Sequence, residues 1–391
     1  CYDPWTRDRQ TVMYTVGIDL GTTNTVLATH AGILPLRIGE IRAAVLPSVV
    51  AYLPNGETVV GHAAKERRAL DPRNTIHSAK RVMGAGWHSY QAREFAKHYA
   101  FDLEPTADRR VGFRTRAGLV TAQDVATEVL QALCRYGAID PAEISAVVSV
   151  PATFDPAQIS ATLAAMHAAG FAEAQCIAEP VATAISYLDR NDIRYGMVYD
   201  LGGGTFDVAV IECNPEPLRI IAHSGDPYLG GDDIDRAIAA HAADLVLQRH
   251  GWDLRSDPEV FARLVLEAER AKLRLALVES TTIELENIDA AAPSVLGALP
   301  LDRAAVTQLT SHLIRRTFNV CDEVLSSAGL KVKDIQAVFL AGGTTLLSGV
   351  RETVTQYFGR KLRFELDPMH VVSLGASIAA ARPKLASLLK Q

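Results

Sequence analysis

The chain has 391 residues, 48% of them apolar and 21% charged, with a formal net charge of −6. That is long enough for two or more domains with substantial cores, and the small acidic balance gives no reason to expect nucleic acid or an anionic membrane as partner. No apolar run approaches the roughly 20 residues of a membrane span, and the five cysteines (Cys1, Cys134, Cys176, Cys213, Cys321) are scattered without a C-x-x-C pair, which fits a reducing compartment better than a disulfide frame or a zinc site.

Residues 1–12 are polar and aperiodic and read as a disordered leader, with Met13 as a natural start. Tyr14 to Leu20 reads as a strand, followed by Thr25 to Thr29 and Leu34 to Ile38 as a meander. Leu119 to Tyr136 has helical periodicity, with Val125, Val129 and Leu133 four apart. Ala146 to Val150 is a β-branched run ending at Pro151, as in a buried strand. A helix from Asp155 to Ala169 stops at Gly170; Cys176 to Ala178 is a short strand, and Val181 to Leu188 a helix. The pattern then restarts with strands at Met197 to Asp200, Val208 to Glu212 and Leu218 to His223, and a long helix from Asp232 to His250. Ala337 to Ala341 repeats the buried-strand role, Ser348 to Phe358 is helical, and a last helix begins at Ser373. Both halves share the order of turn-bearing hairpin, helix, buried strand, loop and helix, which indicates duplication of a large unit. The expected division is lobe I over 13–190, with an insertion at about 48–118, and lobe II over 191–391, with an insertion at about 232–301.

Two glycine-rich turns carry the chemistry. The first is Gly17-Ile18-Asp19-Leu20-Gly21-Thr22-Thr23-Asn24, the second Asp200-Leu201-Gly202-Gly203-Gly204-Thr205-Phe206-Asp207. Backbone N–H groups on such turns bind phosphate without a side chain in the way, and the hydroxyls of Thr22, Thr23 and Thr205 add donors. Asp19, Asp200 and Asp207 stand where carboxylates hold the water shell of a magnesium ion. No G-x-x-x-x-G-K-[ST] segment occurs, so this is not a Walker A loop. Two turns facing each other can grip one nucleotide from both sides. Histidines are dispersed without metal spacing, and Trp5, Trp87 and Trp252 form no platform for stacking bases.

From Tyr14 to Ala381 the chain resembles the nucleotide-binding domain of the seventy-kilodalton heat-shock, DnaK-like chaperones, within the actin–hexokinase superfamily. The resemblance rests on Gly17 to Asn24, Leu46-Pro47-Ser48, Ala79-Lys80-Arg81, Val150-Pro151-Ala152, Glu179-Pro180, Asp200 to Asp207, Leu229 to Asp233, Ala341 to Thr345 and Leu374-Gly375-Ala376. It implies an α/β, two-lobed actin-like ATPase fold: a duplicated ribonuclease-H-like core with an insertion in each lobe. It also implies ATP or ADP with Mg2+, K+ as a further ion, and slow hydrolysis by in-line attack of water on the γ-phosphate. Lys80 matches the lysine that stabilises γ-phosphate charge, and Glu179 the glutamate that orders the metal shell and water. Asp19, Asp200 and Asp207 match the carboxylates around metal and water, the metal being held mostly through water, and Thr205 a hydroxyl near the γ-phosphate. Nucleotide contacts are implied for Gly21, Thr22, Thr23, Asn24, Gly202, Gly203, Gly204, Gly230, Gly231, Asp232, Gly342, Gly343 and Thr344. Glu269 and Lys272 match a helix face that reaches the ribose.

The sequence departs from that family around the base. Ala276, Leu346 and Met369 stand where serine, arginine and aspartate are usual, and Leu273 where some members have arginine and others an aliphatic, so a more apolar adenine pocket is expected, each lost hydrogen bond weakening binding by roughly 1 kcal/mol. Pro151 keeps the family's switch proline, but Thr153 and Ile159 replace an aromatic and an arginine of the relay. Gln391 falls where a linker to a peptide-binding domain would begin, so no such domain is expected within this sequence. The resemblance further implies a cytoplasmic monomer in the stress response, working on unfolded clients with J-domain and nucleotide-exchange partners, and binding neither nucleic acid nor membrane. A nucleotide-dependent actin-like scaffold or filament with little hydrolysis is the alternative expectation.

Overall fold

The computed structural model describes residues 14–99, 101–187, 193–214, 217–286, 288–291, 297–359 and 362–382. The expected leader over 1–12, Met13, and Leu188 at the expected end of a helix lie outside the described residues.

Two sheets share one connectivity. In the first, the strands lie in the order Glu173–Ala178, Ile144–Val150, Tyr14–Leu20, Asn24–Thr29, Gly32–Ile33, with Leu46–Pro47 pairing on Asn24 and Thr25. In the second, the order is Leu362–Arg363, Ala337–Ala341, Tyr195–Leu201, Phe206–Glu212, Arg219–Asp226. In each, the central strand forms an antiparallel hairpin on one side and lies parallel to a much later strand on the other. The shared order is the duplicated core of a two-lobed actin-like α/β fold. The duplication of backbone is not a duplication of chemistry, because register sets Asp19 opposite Val26 but Asp200 opposite Asp207. Lobe II therefore carries two carboxylates where lobe I carries one.

Helices complete each half. Between the first hairpin and the helices of its sheet lie α1 (His62–Arg67), α2 (Tyr90–His98) and two small three-stranded sheets. Helix α3 (Ala122–Gly137) buries Val125, Val129, Leu130 and Leu133. Helix α4 (Pro156–Ala168) starts at a capping box in which Asp155 and Gln158 each accept the other's backbone N–H. Helix α5 (Glu179–Ser186) follows the edge strand directly. In the second half, α6 (Gly231–His250) and α7 (Pro258–Leu275) pack together over the Ser280–Glu284 and Ala298–Asp302 hairpin, around Ile238, Ala242, Leu264, Ala268 and Ile283. Helices α8 (Arg303–Ser327) and α9 (Ser348–Phe358) cover one face of the second sheet, burying Ile314, Val324, Val350 and Val354 against Tyr199, Leu201 and Phe206. Helix α10 (Val371–Ala381) returns to the first sheet.

The two sheets are joined by α5 and α10 in one apolar layer that includes Val147 and Ile177 from the first sheet and Val198, Ala209 and Phe339 from the second. Two glycines permit it. A Cβ on Gly17 would stand 2.1 Å from the backbone nitrogen of Ser377, and one on Gly375 would stand 1.7 Å from the carbonyl oxygen of Ala182. Helix therefore meets strand, and helix meets helix, at backbone distance.

Three expectations change. Leu34 to Ile38 is not one strand: Gly32–Ile33 pairs with Ala28 and Thr29, while Leu36–Ile38 turns away to pair with Ile41–Ala43. Pro35, which has no N–H to give a ladder, separates them. The helix expected from Leu119 begins at Ala122, because Thr121 caps it by accepting from the N–H of Asp124, and Gly118–Thr121 joins a strand pair instead. The last helix starts at Val371 rather than Ser373.

Candidate active site

The two glycine turns leave the ends of the two central strands and face each other across a cleft of about 640 Å³. They are in contact. A Cβ on Gly203 would lie 2.1 Å from the Thr23 hydroxyl oxygen, and one on Gly204 would lie 2.8 Å from Cγ2 of Thr22. A side chain at these positions would have to displace Thr22, Thr23 or Arg81. A third turn closes the cleft at Gly342, whose φ of 82° is in the left-handed region. A Cβ there would lie 2.3 Å from the carbonyl oxygen of Leu201 and 2.5 Å from Oδ1 of Asp200, so both conformation and space require glycine.

Of the residues expected from sequence, Asp19, Gly21, Thr22, Thr23, Asn24, Lys80, Glu179, Asp200, Gly202, Gly203, Gly204, Thr205, Gly342, Gly343 and Met369 line this cleft. Gly230, Gly231 and Thr344 stand behind it. The Gly231 N–H donates to the Gly202 carbonyl at 3.1 Å, the Asp232 N–H to that of Gly203 at 2.6 Å, and the Thr344 hydroxyl to that of Gly202 at 2.8 Å. These residues hold the second turn rather than face the cavity. The side chain of Asp232 turns to the other lobe, accepting from the Tyr99 hydroxyl at 3.3 Å. Glu269 and Lys272 share a helix face as expected, but each is already engaged. Glu269 pairs with Lys65 at 2.7 Å and Arg68 at 3.3 Å, both across the cleft, and Lys272 pairs with Asp235 at 2.7 Å and the Gly231 carbonyl at 3.0 Å. Against burial, Arg68 and then Lys65 hold the Glu269 carboxyl down at about 2. Ala276 caps the end of α7, and Leu346 closes the short turn after Gly343.

Charge is the dominant feature. Lys80 sits on a single 3-10 turn, Ala79–Val82, and reaches Oε1 of Glu179 at 2.8 Å, the first residue of α5. Both side chains are about nine-tenths buried. Asp19 accepts from the Ser149 hydroxyl at 2.8 Å. Around this one ammonium lie Asp19, Asp200 and Asp207 as well as Glu179. Burial, then the Glu179 charge, pushes Asp19 up to about 6 and Asp207 up to about 7. Burial, Glu179, Asp207 and Asp19 raise Asp200 well above the ordinary carboxylate range. Burial alone would lower Lys80, but Glu179, Asp19 and Asp207 outweigh it and raise the ammonium instead. Four carboxylates against one ammonium leave an excess of negative charge that a cation relieves.

A triphosphate with a divalent cation fits this donor set. The Thr23 hydroxyl is buried and has no hydrogen-bond partner, and it points at the contact between the turns. Backbone N–H groups and the hydroxyls of Thr22 and Thr205 surround the same space. Among the described residues no three His, Cys, Asp or Glu side chains converge at direct metal-ligand spacing.

Sequence reasoning did not single out Ser149, Val26, Pro368 or Val372. Val26, Pro368 and Val372 line the cleft with Pro151. Ser149 reaches Asp19 only because the Ile144–Val150 strand pairs in parallel with Tyr14–Leu20 at the register Val148 to Ile18. The signal lay in a strand register that one sequence does not fix.

The Hsp70 protein family model matches residues 15–383. The chain is 37% identical over 372 residues to a chaperone protein DnaK of Thermus thermophilus, covering 93% of this chain and 60% of that protein. It is 37% identical over 369 residues to a chaperone protein HscA homolog of Acidithiobacillus ferrooxidans, covering 93% and 58%. Against chaperone protein DnaK of Stenotrophomonas maltophilia it is 34% identical over 383 residues, covering 93% and 58%. The chain thus spans about 60% of the length of the curated relatives it matches.

Proposed function

The chain belongs to the Hsp70 family and forms its nucleotide-binding domain, and from that premise we propose that it binds ATP with magnesium in the cleft and hydrolyses it slowly. The observation that carries this reading is the pair of touching glycine turns around a buried Lys80–Glu179 pair, with Asp19 and Asp200 in the cleft lining and Asp207 behind them, opposite Asp200 in the hairpin. ATP is gripped by the N–H groups of Gly21 to Thr23 and Gly202 to Thr205, with the hydroxyls of Thr22, Thr23 and Thr205 as further donors. Magnesium, when bound, neutralises phosphate charge through waters on Asp19, Asp200 and Asp207. Lys80 stabilises negative charge on the γ-phosphate, and Glu179 fixes Lys80 and orients the attacking water. Asp200 and Asp207 stand beside that water as hydrogen-bond acceptors once a cation keeps them ionised. Rate comes from positioning and charge neutralisation. Potassium is a further ion in the same reading.

On the base side, Ala276, Leu346 and Met369 offer no charged or hydroxyl group to adenine, with Glu269 and Lys272 bordering the ribose. We take lobe I as 13–190, with an insertion at about 48–118, and lobe II as 191–391, with an insertion at about 232–301. The relatives are named as chaperone proteins, which supports a chaperone role; work on unfolded proteins with J-domain and nucleotide-exchange partners, by a monomer, is part of the same proposal. Cytoplasmic residence is supported by the free state of Cys134, Cys176, Cys213 and Cys321. Among the described residues no helix is long and apolar enough to cross a membrane. The family match does not favour an actin-like filament.

Single-turnover hydrolysis with magnesium tests the reading, comparing the parent chain with Lys80→Ala and Thr205→Ala. Slow hydrolysis by the parent, lost in Lys80→Ala while ATP still binds, is the expected result. Tight binding without turnover in the parent would remove the enzyme and leave a nucleotide-gated scaffold. Absence of binding would remove both.

A further inference from the structure

Next to Lys80, on the same short turn, Arg81 takes a different course. Its side chain is 1% exposed and is absent from the cleft lining. It crosses from lobe I to lobe II and donates to the carbonyl oxygen of Gly204 at 2.5 Å. Gly204 belongs to the second phosphate turn, and a Cβ there would come within 2.8 Å of the Arg81 guanidinium. The guanidinium is clamped between two rings, 4.8 Å from the centroid of Tyr228 in lobe II and 5.5 Å from that of Tyr99 in lobe I. Its nearest carboxylate is Asp232 of lobe II, at 3.6 Å. Nε of Arg81 has no partner, so the buried charge depends on the Gly204 carbonyl, the two ring faces and Asp232.

The clamp extends in both directions. His98 of lobe I stacks on Tyr228 at 4.6 Å, and the Tyr228 hydroxyl donates to the Gln91 carbonyl at 3.1 Å. The Arg236 guanidinium of lobe II lies 5.7 Å from the Tyr99 centroid and donates to the His98 carbonyl. The clamp therefore draws on His98 and Tyr99 of lobe I and on Tyr228 and Arg236 of lobe II.

We propose that Arg81 is a positioning residue that fixes the lobe II phosphate turn from lobe I, so that closure of the insertions and placement of the Gly204 and Thr205 donors are one event. It acts through the turn and touches no nucleotide. The planar fork matters, because an ammonium can neither lie flat between two rings nor keep a donor aimed at one carbonyl. For its consequence in catalysis the proposal rests on the nucleotide reading; the anchoring of the turn does not.

Two variants and two measurements test it. Arg81→Met keeps the volume and removes the donor and charge. Tyr228→Leu loosens one face of the clamp and leaves Arg81 in place, and it serves if Arg81→Met fails to fold. The first measurement is hydrogen–deuterium exchange of the nucleotide-free chain. Exchange across residues 202–206 and 229–233 should accelerate roughly tenfold or more in Arg81→Met, the scale of one lost hydrogen bond to a charged group, and less in Tyr228→Leu, while α3 and α4 keep parental protection. The second is release of a fluorescent ADP with single-turnover ATP hydrolysis. Faster release and slower turnover are expected in both variants. The double variant should be no worse than Arg81→Met, because both changes break one clamp. Parental exchange at 202–206 in either single variant would overturn the proposal. So would additive effects of the two changes. If exchange accelerates but the parent binds no ATP, the anchor stands and the nucleotide reading falls.

Discussion

Replacing Asp207 by asparagine probes the electrostatics of the metal-free cleft. Burial, then the Glu179 charge, raises the Asp207 carboxyl from 3.8 to about 7, with Lys80 and the Thr205 hydroxyl offsetting part of the rise. The folded chain thus holds this proton more tightly than the unfolded chain. Stability from this group is complete below the unfolded value of 3.8, is lost as pH rises towards about 7, and is level above that. A shift of roughly three units, at about 1.4 kcal/mol each, penalises the folded chain by at most roughly 4 kcal/mol near pH 8. Asparagine keeps an acceptor for Thr205 and removes the charge. Asp200, relieved of that neighbour, then ionises more readily and takes back part of the gain, so a net stabilisation of roughly 2 kcal/mol is expected. The assay is urea unfolding in chelator at pH 8 and pH 5. Asp207→Asn should exceed the parent at pH 8 and approach it at pH 5. With magnesium and ATP the order should reverse, because ligand binding stabilises the parent more. An equal difference at both pH values, or a variant weaker than the parent at pH 8 in chelator, would refute the reasoning.

Gly375→Val should cost about 3 kcal/mol or more, since its Cβ would stand 1.7 Å from the Ala182 carbonyl where α5 and α10 cross; a parental melting temperature would show that the crossing tolerates separation. Glu269→Ala removes the ion pairs to Lys65 and Arg68 that bridge the cleft. At their partial exposure these are worth about 1 kcal/mol, so release of a fluorescent ADP should quicken roughly fivefold, and an unchanged rate would assign the pairs no part in closure. The apolar base side proposed for Ala276, Leu346 and Met369, with Leu273, should discriminate ATP from GTP by less than about a hundredfold in competition binding, whereas a preference of about 10³ or more would mean that polar groups read the base after all.

Much of the site was legible because it is local. Asp19 and the turn from Gly21 to Thr23, or Asp200 and the turn from Gly202 to Thr205, are each a few residues of backbone demand: donors free of side chains, a hydroxyl, and a carboxylate one turn away. The boundaries that were misplaced are also local, but they turned on capping and on Pro35, where two competing signals overlap within three residues. Glu269 and Lys272 were placed on one helix face correctly by spacing. Their partners were not, because Lys65 lies 204 residues from Glu269 and Asp235 lies 37 from Lys272.

By itself the sequence determined the two-lobed duplication, the two glycine turns and the aspartates at their ends, and through the family resemblance it singled out Lys80 and Glu179 without pairing them. Tertiary structure alone decided which of these groups meet. The parallel register brings Ser149 to Asp19, and the antiparallel register of the second hairpin sets Asp207 against Asp200 where the first hairpin has Val26. Backbone approach at Gly17 and Gly375, and the contact of Gly203 with the Thr23 side chain, fix how closely the lobes come together. That approach places Arg81 between Tyr99 and Tyr228 with Gly204 as its acceptor. Turn chemistry is written in neighbouring residues and survives without the rest of the chain, whereas a buried charge finds its partners only after distant segments have packed and excluded water.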